Sequence, residues 1–514
     1  MSTQEDKLKA IADAIREKEG SADPIPAGDF PERIRAIQSG GIQLSSIAIT
    51  VPPDKTGYIT GELFDPAGMV VTATYSNGAT LIATGWAVEP AGPLPEGLTV
   101  ATIRYTEGGV SVTVNQPISV SSYWLFGFDI NNADSNPATR VSYPGDVHNA
   151  RFAAAKMDFD TDTFSYGGWP STPGEKFMPQ PCMLNFDGTV AYYLDPNDYT
   201  KKADGTASDV ADVNFGGNAM MEWPKIFTKR WETDGVYHFR CSDQKLDEDY
   251  ECWCNYDKND QEILYFYTHI FPGFLDDSSR LRSISGQKGA TSKTAGAFGT
   301  YAGVNGADIW YIEVLADRLL IQDLLVMMFK STNIKACTGL GTSNYNVIAG
   351  TLNTKGMFWG VNAQTDGVKV FGMEHWWGGL SRYLAGWHYS SNGTQCCKIT
   401  WGTKDGTSGN KYYDNYILIP DSTINYSSAS GYVAAMKTMP YGRFPISIKG
   451  SSSTYETDSM GFQSVNGPYY AVAGGYAHSV GPFSVSLNIR LSATSGYTGA
   501  ALSCKPLASA QAQS

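Results

Sequence analysis

Near its C-terminus the chain runs Ala473-Gly474-Gly475-Tyr476, then Phe483-Ser484-Val485-Ser486-Leu487, and finally Gly499-Ala500-Ala501-Leu502-Ser503-Cys504-Lys505-Pro506. In the middle piece, apolar residues alternate with serines. Because successive side chains of a β-strand point to opposite faces, this alternation predicts a strand with Phe483, Val485 and Leu487 on its inward face. The residues next to them are expected to point outward.

These three pieces resemble the closing segment of phage-associated proteins with a C-type-lectin-like fold, known from phage tail tips and as targets of diversity-generating retroelements. In those proteins the variable, ligand-facing residues lie between a Gly-Gly start and a Gly-x-x-Leu-Ser ending. The resemblance implies a ligand-binding face between Tyr476 and Tyr497. Its candidate ligand-binding residues are Tyr476, His478, Asn488, Arg490 and Tyr497.

A second candidate surface is the cluster Glu374-His375-Trp376-Trp377. A carboxylate, an imidazole and two indoles could build a sugar site, because an indole stacks on the apolar face of a sugar. The lectin-like phage proteins carry a similar Gly-x-Glu-x-x-Trp-Gly stretch as scaffold around their central sheet, and Gly372 to Gly378 fits that pattern. Trp376 and Trp377 are therefore predicted either as ligand-binding residues or as buried scaffold.

Composition and charge limit which partners the chain is expected to bind and where in the cell it is expected to be made. The chain has 514 residues, a formal net charge of −13 and no basic stripe, so it is not expected to bind nucleic acid. The most apolar stretch, Ile309 to Phe329, contains four charged residues and is predicted as a buried helix rather than a membrane span. The polar, acidic start from Met1 to Asp6 does not resemble a secretory signal. Synthesis in the cytoplasm of a host bacterium, without membrane insertion, is expected.

Residues 1–40 are predicted to form a helical anchor. Ser2 and Glu5 fit a capping box at the start of the first helix. The apolar residues of that helix share one face: Leu8, Ile11, Ala12 and Ile15. A unit this small holds little core of its own, so we expect it to dock on a partner or to self-associate.

Residues 42–122 are predicted to form an immunoglobulin-like β-sandwich. Alternating apolar positions, such as Ile47, Ile49 and Val51, recur with turns such as Ser76-Asn77-Gly78 between them. The string from Tyr58 through Gly68-Met69-Val70-Val71 to Gly78 resembles bacterial immunoglobulin-like domains. That resemblance implies a spacer or a weak glycan-binding module.

Residues 123–514 are predicted to form a large C-type-lectin-like binding head. From Tyr123 onward the composition shifts to aromatic residues, Asn, Asp and Gly, and most of Tyr123 to Pro506 is similar to uncharacterised phage structural proteins. One long helix, near Asp308 to Lys330, is apolar on nearly all sides and is predicted to lie in the core. The expected fold class of the whole chain is multidomain and mainly β, with an α+β head.

No residue is predicted to be catalytic, and no metal ligand is assigned. Carboxylates are plentiful, as in Asp158, Asp160 and Asp162, but the sequence does not show the carboxylate separation that glycoside hydrolysis requires. The same aspartates fail the EF-hand pattern, because position six is Thr163 and position twelve is Trp169. The eight cysteines lack the paired spacing of a zinc site, and most are predicted to be buried thiols. No cofactor is expected, and a structural calcium ion is left open.

The resemblance to phage proteins implies a non-catalytic phage virion protein, a fibre or receptor-binding protein that attaches the particle to a host or mucosal surface. The expected partners are other virion proteins, through the N-terminal helices, and a surface glycan or protein. A homo-oligomer, by analogy with phage fibres a trimer, would multiply weak sites by avidity. Two alternatives remain: a capsular polysaccharide depolymerase with a carboxylate pair in a groove, and a structural decoration protein of the capsid or tail.

Overall fold

The computed structural model describes residues 3–39, 42–389, 395–405, 416–422, 424, 430–462, 469–475, 480–490 and 492–511. The chain is mainly β, with many small sheets and a few helices, which confirms the mainly β part of the predicted class. It divides into two compact units, Met1–Ser122 and Tyr123–Ser514. None of the described helices is long and apolar enough to cross a membrane.

The first unit begins with two helices, Gln4–Glu19 and Phe30–Ser39, separated by the 3-10 turn Ala27–Asp29. The capping box forms one residue later than predicted. The Asp6 backbone N–H donates to Thr3 Oγ1 (3.3 Å), and the Thr3 backbone N–H donates to the Asp6 carboxylate (2.9 Å). Two donors at the start of the first helix are thereby satisfied.

The apolar face of the first helix is divided between core and surface. A small buried cluster contains Ala12, Ile15, Ile25 and Phe30. Leu8 and Ile11, from the same predicted face, are 39% and 42% exposed. The helices therefore leave apolar side chains uncovered, as expected of a segment too short to build a full core.

The rest of the first unit consists of short strands. One sheet contains, in spatial order, Leu44–Val51, Val70–Tyr75 and Thr80–Ile82; a second contains Ala87–Glu89, Val100–Glu107 and Val110–Pro117; and Gly57–Ile59 pairs in parallel with Ser119–Ser121. The predicted alternation fails at one end of the first strand. Ile47 is buried, but Val51 is exposed because the register shifts between Ile49 and Val51. The predicted turn at Gly78 joins two paired strands, and its φ of +81° is one that glycine adopts without strain.

A seven-stranded sheet organises the second unit. Its strands, in spatial order, are Asp198–Lys202, Val190–Asp195, Gln180–Asn185, Gly217–Pro224, Tyr265–His269, Leu502–Cys504 and Trp310–Ile312. The tail strand Leu502–Cys504 is buried between two strands from earlier in the chain and is antiparallel to both. The sheet is therefore complete only when the last strand of the chain is in place.

A four-stranded sheet and an eight-stranded sheet form most of the remaining β-structure. The first has the order Val141–Ser142, Leu125–Asn131, Val236–Ser242 and Phe227–Thr233. The second has the order Ile417–Leu418, Gln395–Cys397, Ser381–Tyr389, Tyr469–Gly474, Val485–Arg490, Ser459–Phe462 and Gly431–Tyr432, with Thr498–Gly499 paired to Ser381–Tyr389. Two-stranded pairs are Lys156–Asp158 with Thr163–Ser165, Phe274–Leu275 with Leu281–Arg282, Lys369–Val370 with Met373–Glu374, and Ala435–Met439 with Gly442–Ser447. Phe483, Val485 and Leu487 are all buried, as predicted for the inward face of the tail. The expectation that their neighbours point outward is wrong for Ser484, which precedes the strand Val485–Arg490, is itself buried and donates from Oγ to Ser459 O (2.8 Å).

The long helix predicted near Asp308 to Lys330 is shorter than expected. Its first part forms the strand Trp310–Ile312, and the helix runs over Leu315–Phe329. Every helical residue except Gln322 is buried, so its predicted place in the core is confirmed. The other helices of this unit are Ala295–Gly303, Ile334–Thr338 and Ala508–Gln511. All eight cysteines are free thiols, and seven of them are buried.

Candidate functional site

The tail face predicted from the sequence is described in part. Tyr476 and His478 lie outside the described residues, and Asn488 is described only through its backbone in the strand Val485–Arg490. Arg490 is exposed at the end of that strand. Tyr497 lies on a turn and is 46% exposed. Arg490 and Tyr497 are thus the predicted residues whose side chains the structure places at the surface.

Tyr497 has an aromatic neighbour that sequence reasoning missed. Tyr345 is 37% exposed, and its ring meets the Tyr497 ring edge to face, with 4.6 Å between the centroids. The Tyr497 turn is held by its backbone: Ser381 N–H donates to Tyr497 O, and Tyr497 N–H donates to Ser495 Oγ, both at 3.1 Å. We call Tyr345 and Tyr497 the tyrosine pair. Rings with an apolar body and a polar tip are favoured contact residues at recognition surfaces.

Trp376 and Trp377 do not lie on a surface. They are 1% and 0% exposed, so their rings are not accessible to a ligand. The indole N–H of Trp377 donates to Gly339 O (3.2 Å), and the Arg318 guanidinium lies 4.3 Å from the Trp376 ring centroid. Of the two predictions made for this pair, buried scaffold is the one that their position fits.

Glu374, in the same cluster, holds a neighbouring loop. Its carboxylate accepts hydrogen bonds from Gly350 N–H (2.8 Å) and Leu352 N–H (3.1 Å). Burial raises the pKa of the Glu374 carboxyl, although the Lys369 ammonium acts in the opposite direction. Gly372 has a φ of +79°, and a Cβ there would lie 2.5 Å from the hydroxyl of Tyr199. The Gly-x-Glu part of the motif therefore has a structural role.

A buried group of ion pairs connects these tryptophans to the tail. Glu313 pairs with Arg318 (2.8 Å) and Arg382 (3.0 Å). Burial alone would raise the pKa of Glu313, but the two guanidinium groups bring it down to about 2. Arg382 also donates to Trp376 O (2.8 Å), and Arg318 donates to Pro482 O (3.0 Å). We call Glu313, Arg318 and Arg382 the Glu313 cluster.

A second buried pair holds the last strand. Lys505 Nζ donates to Asp317 Oδ1 (2.6 Å) and to Cys254 O (2.7 Å). Ser503 Oγ donates to the other oxygen of Asp317 (3.1 Å). Burial raises the pKa of Asp317, and Lys505 opposes that rise. Ser503 and Lys505 of the tail motif therefore anchor the strand rather than face a ligand.

Two buried histidines lead us to expect pH-dependent stability. Burial, with a further contribution from Arg382, lowers the pKa of His375 to about 4 and that of His269 to about 3. In the unfolded chain a histidine titrates near pH ~6.5. Below that pH the unfolded chain binds more protons than the folded one, so stability is fully present above about pH 6.5 and falls as the pH drops toward about 4. The loss is on the order of 1.4 kcal/mol per unit of pKa depression.

This pH dependence is measured as the free energy of unfolding in denaturant at pH 7 and pH 5. Tryptophan fluorescence reports mainly on the second unit, because Trp86 is the one tryptophan of 12 that precedes Tyr123. His375→Asn is expected to flatten the pH dependence, and asparagine suits this position because it tolerates the φ of +53° found there. An equally steep dependence in the variant would contradict the role assigned to His375.

An aromatic and charged surface that sequence reasoning missed lies on the four-stranded sheet. Its hairpin, Phe227–Thr233 with Val236–Ser242, turns at Asp234-Gly235, and both turn residues have positive φ. An Asp-Gly pair between alternating runs is a strong hairpin signal, so the turn was visible in the sequence. In the observed register, two cross-strand pairs share one face of the sheet: Lys229 with Arg240, and Trp231 with His238.

These side chains pack into one layer. Trp231 stacks on His238, with 4.8 Å between ring centroids and 19° between planes. Arg240 lies across Gly127, where a Cβ would meet the Arg240 side chain at 2.5 Å, and donates to Asp129 (2.8 Å). A cavity of about 430 Å³, which we call the Trp231 cleft, is lined by Leu125, Asp146, Lys229, Trp231, Arg240, Asp247, Asp249 and Tyr250. The cleft combines an indole, a phenol and charges of both signs on an open surface.

In the described part of the chain, one group of three residues has side chains of the kind that bind metals: Glu251, Cys252 and Glu262. Its donor atoms already have partners. Glu251 accepts from the Tyr256 hydroxyl and pairs with Lys404 (2.9 Å), while Glu262 pairs with Lys225 (3.0 Å). Burial raises the pKa of the Cys252 thiol to about 12, which disfavours the thiolate that metals bind. The group does not fit a cation site.

Asp158, Asp160 and Asp162, the aspartates that fail the EF-hand pattern, lie at the turn that joins the paired strands Lys156–Asp158 and Thr163–Ser165. Asp158 Oδ1 accepts from the backbone N–H groups of Asp160 (3.0 Å) and Thr161 (3.2 Å). Asp162 pairs with Lys355 (2.8 Å). These contacts explain the carboxylates at Asp158 and Asp162 without an ion.

No family model matches the sequence, and no significant match is found among curated proteins. The likeness to lectin-like phage proteins is therefore a resemblance of motifs. Two of the described surfaces carry aromatic and polar groups that a partner could contact: the tyrosine pair and the Trp231 cleft.

Proposed function

We propose that the chain is a non-catalytic attachment protein of a phage particle, a fibre or receptor-binding protein that binds a glycan or protein on a host or mucosal surface. The observation that carries this proposal is the exposed tyrosine pair: Tyr497 lies in the segment where the resemblance to retroelement targets places ligand-facing residues, and Tyr345 packs against it from outside that segment. Rigid aromatic side chains give large contact area at low conformational cost, because each has only two rotatable bonds. Arg490 is exposed on the strand Val485–Arg490 and adds charged donors to the same tail segment.

In this proposal the first unit serves as anchor and spacer, and the second is a lectin-like head. The short strands within residues 44–121, antiparallel except for the pair Gly57–Ile59 and Ser119–Ser121, suit an immunoglobulin-like sandwich. Leu8, Ile11 and Ile34, each about two-fifths exposed, supply the apolar surface by which the helices would dock on other virion proteins or on copies of this chain. A trimer would combine three weak head sites by avidity.

Binding of the full-length chain to a panel of bacterial strains and to mucin tests this proposal. The double variant Tyr345→Ala/Tyr497→Ala is expected to bind about 30-fold more weakly, because removing central aromatic contacts typically costs about 2 kcal/mol or more. Labelled protein and an equilibrium binding assay measure the difference.

Tyr265→Ala is the matched control, because Tyr265 is also exposed (40%) but lies on the strand Tyr265–His269 of the seven-stranded sheet. Undiminished binding by the double variant would remove the tyrosine pair from the proposal. Failure of the unmodified chain to bind any strain or mucin would overturn the proposed function. Polysaccharide that is shortened during the assay would favour the depolymerase alternative.

A further inference from the structure

We propose that the Trp231 cleft is a second binding site, which takes neutral hexopyranose glycans. The cleft is built on the four-stranded sheet, and none of its lining residues belongs to the tyrosine pair. The inference goes beyond the proposed attachment through that pair. The two surfaces can therefore be tested separately.

Trp231 has the position of a stacking platform. It is half-buried on Phe227–Thr233, the edge strand of its sheet, and it lines a second cavity of about 420 Å³ beside the cleft. The Arg240 guanidinium and Lys229 Nζ lie 5.2 and 5.8 Å from the centroid of this ring. The apolar surface that the indole offers to a sugar is therefore the part that lines the two adjoining cavities. His238 stacks on the ring and is itself bonded to Asp129 (2.9 Å), so the indole is held in place before a ligand arrives.

Polar groups with the geometry to meet hydroxyls surround the ring. Lys229 Nζ pairs with Asp247 (2.8 Å) and Asp249 (2.9 Å), which positions both carboxylates at the rim. The side chains of these aspartates are 49% and 74% exposed, so they can also accept hydrogen bonds from a ligand. Carboxylate acceptors next to an ammonium donor suit a sugar hydroxyl, which both donates and accepts.

The charge of the cleft distinguishes neutral from acidic sugars. Its lining has three carboxylates, Asp146, Asp247 and Asp249, against two cations, Lys229 and Arg240, which leaves a formal charge of −1. Arg240 is also paired to Asp129 below the cleft (2.8 Å), so little positive charge is left for a ligand. A uronic acid or a sulfated sugar would meet this excess of negative charge, whereas a neutral hexose would not.

The test uses the full-length chain on an array of neutral hexose oligosaccharides and of uronic-acid oligosaccharides. The unmodified chain is expected to bind neutral members. Trp231→Ala is expected to weaken that binding about tenfold or more, because buried tryptophan contacts dominate recognition energies. Trp231→Phe, which keeps a flat ring, is expected to retain most of it. Asp247→Asn/Asp249→Asn, which removes two negative charges, is expected to improve binding of the uronic-acid members.

Three results would overturn the inference: no neutral oligosaccharide is bound, uronic-acid members are preferred, or Trp231→Ala binds neutral members as well as the unmodified chain does. Tyr265→Ala, at an exposed tyrosine that belongs to neither surface, is the control and is expected to leave array binding unchanged. If the chain binds the array but attaches to no cell and to no mucin, the proposed function is overturned and the Trp231 cleft remains supported as a glycan site. Suppose instead that cell attachment is lost in Tyr345→Ala/Tyr497→Ala, while Trp231→Ala does not weaken binding to the array. That result would support the proposed function and overturn the Trp231 cleft as a binding site.

Discussion

Glu313→Gln is expected to lower the free energy of unfolding of the second unit by about 3–5 kcal/mol, the usual cost of removing one partner of a buried ion pair. Glu313 is the carboxylate shared by Arg318 and Arg382, and all three side chains are at most 4% exposed. A neutral amide would leave two buried guanidinium charges without this counter-ion. Because these arginines also bond Trp376 O and Pro482 O, the substitution should loosen the tryptophan scaffold and the tail together.

Denaturant unfolding followed by tryptophan fluorescence measures this loss. Glu248→Gln is the matched control, because Glu248 is exposed, and it should change stability by no more than about 0.5 kcal/mol. Adding Arg382→Met to Glu313→Gln should cost less than the sum of the two single changes, since the second removes a charge that the first left unpaired. A loss below about 1 kcal/mol for Glu313→Gln would contradict the role of the cluster.

Lys505→Met is expected to have an effect of similar size, about 3–5 kcal/mol at neutral pH. It removes the ammonium that bonds Asp317 Oδ1 (2.6 Å) and leaves a carboxylate that is 1% exposed without that cation. Lys505 adjoins the strand Leu502–Cys504, which lies between two strands of the seven-stranded sheet. The loss of stability should therefore come from weaker attachment of the strand Leu502–Cys504 to that sheet.

The pH dependence of this second variant distinguishes a lost charge pair from lost packing. Without Lys505, burial should raise the pKa of Asp317 further above its unfolded value. The destabilisation should then shrink as the pH falls from 7.5 to 5.5, because a protonated Asp317 carries no buried charge. Lys293→Met, at an exposed lysine, is the control and should show neither the loss nor its pH dependence. A cost that is the same at both pH values would point to packing alone.

Local patterns predicted much of the secondary structure. Phe483, Val485 and Leu487 alternate and are buried, and the apolar stretch before Lys330 forms a core helix. The helix nevertheless begins at Leu315, because Trp310–Ile312 joins the sheet edge beside the tail strand. Periodicity shows which face of a segment is apolar, but it does not show whether part of that segment pairs with a strand from elsewhere in the chain.

The candidate site was less predictable, for two different reasons. Tyr497 was identified through the tail motif, but Tyr345 was not, because the chain brings the two rings together from distant positions. The Asp-Gly turn near Trp231 is a hairpin signal in the sequence, but the surface around Trp231 was missed. Its surroundings depend on the register that sets Trp231 opposite His238. A register is decided by the whole sheet rather than by one strand.

By itself, the sequence determined the mainly β class, the strand character of the tail and the burial of the long helix, because alternation and periodicity are local properties. Only the tertiary structure decided which charges meet: Glu313 with Arg382, Asp317 with Lys505, and Asp323 with Arg230. It likewise decided that Trp376 and Trp377 are enclosed while Tyr345 and Tyr497 are exposed. The physical reason is that burying a charge or an indole depends on what surrounds it, and here those surroundings come from segments far apart in the chain.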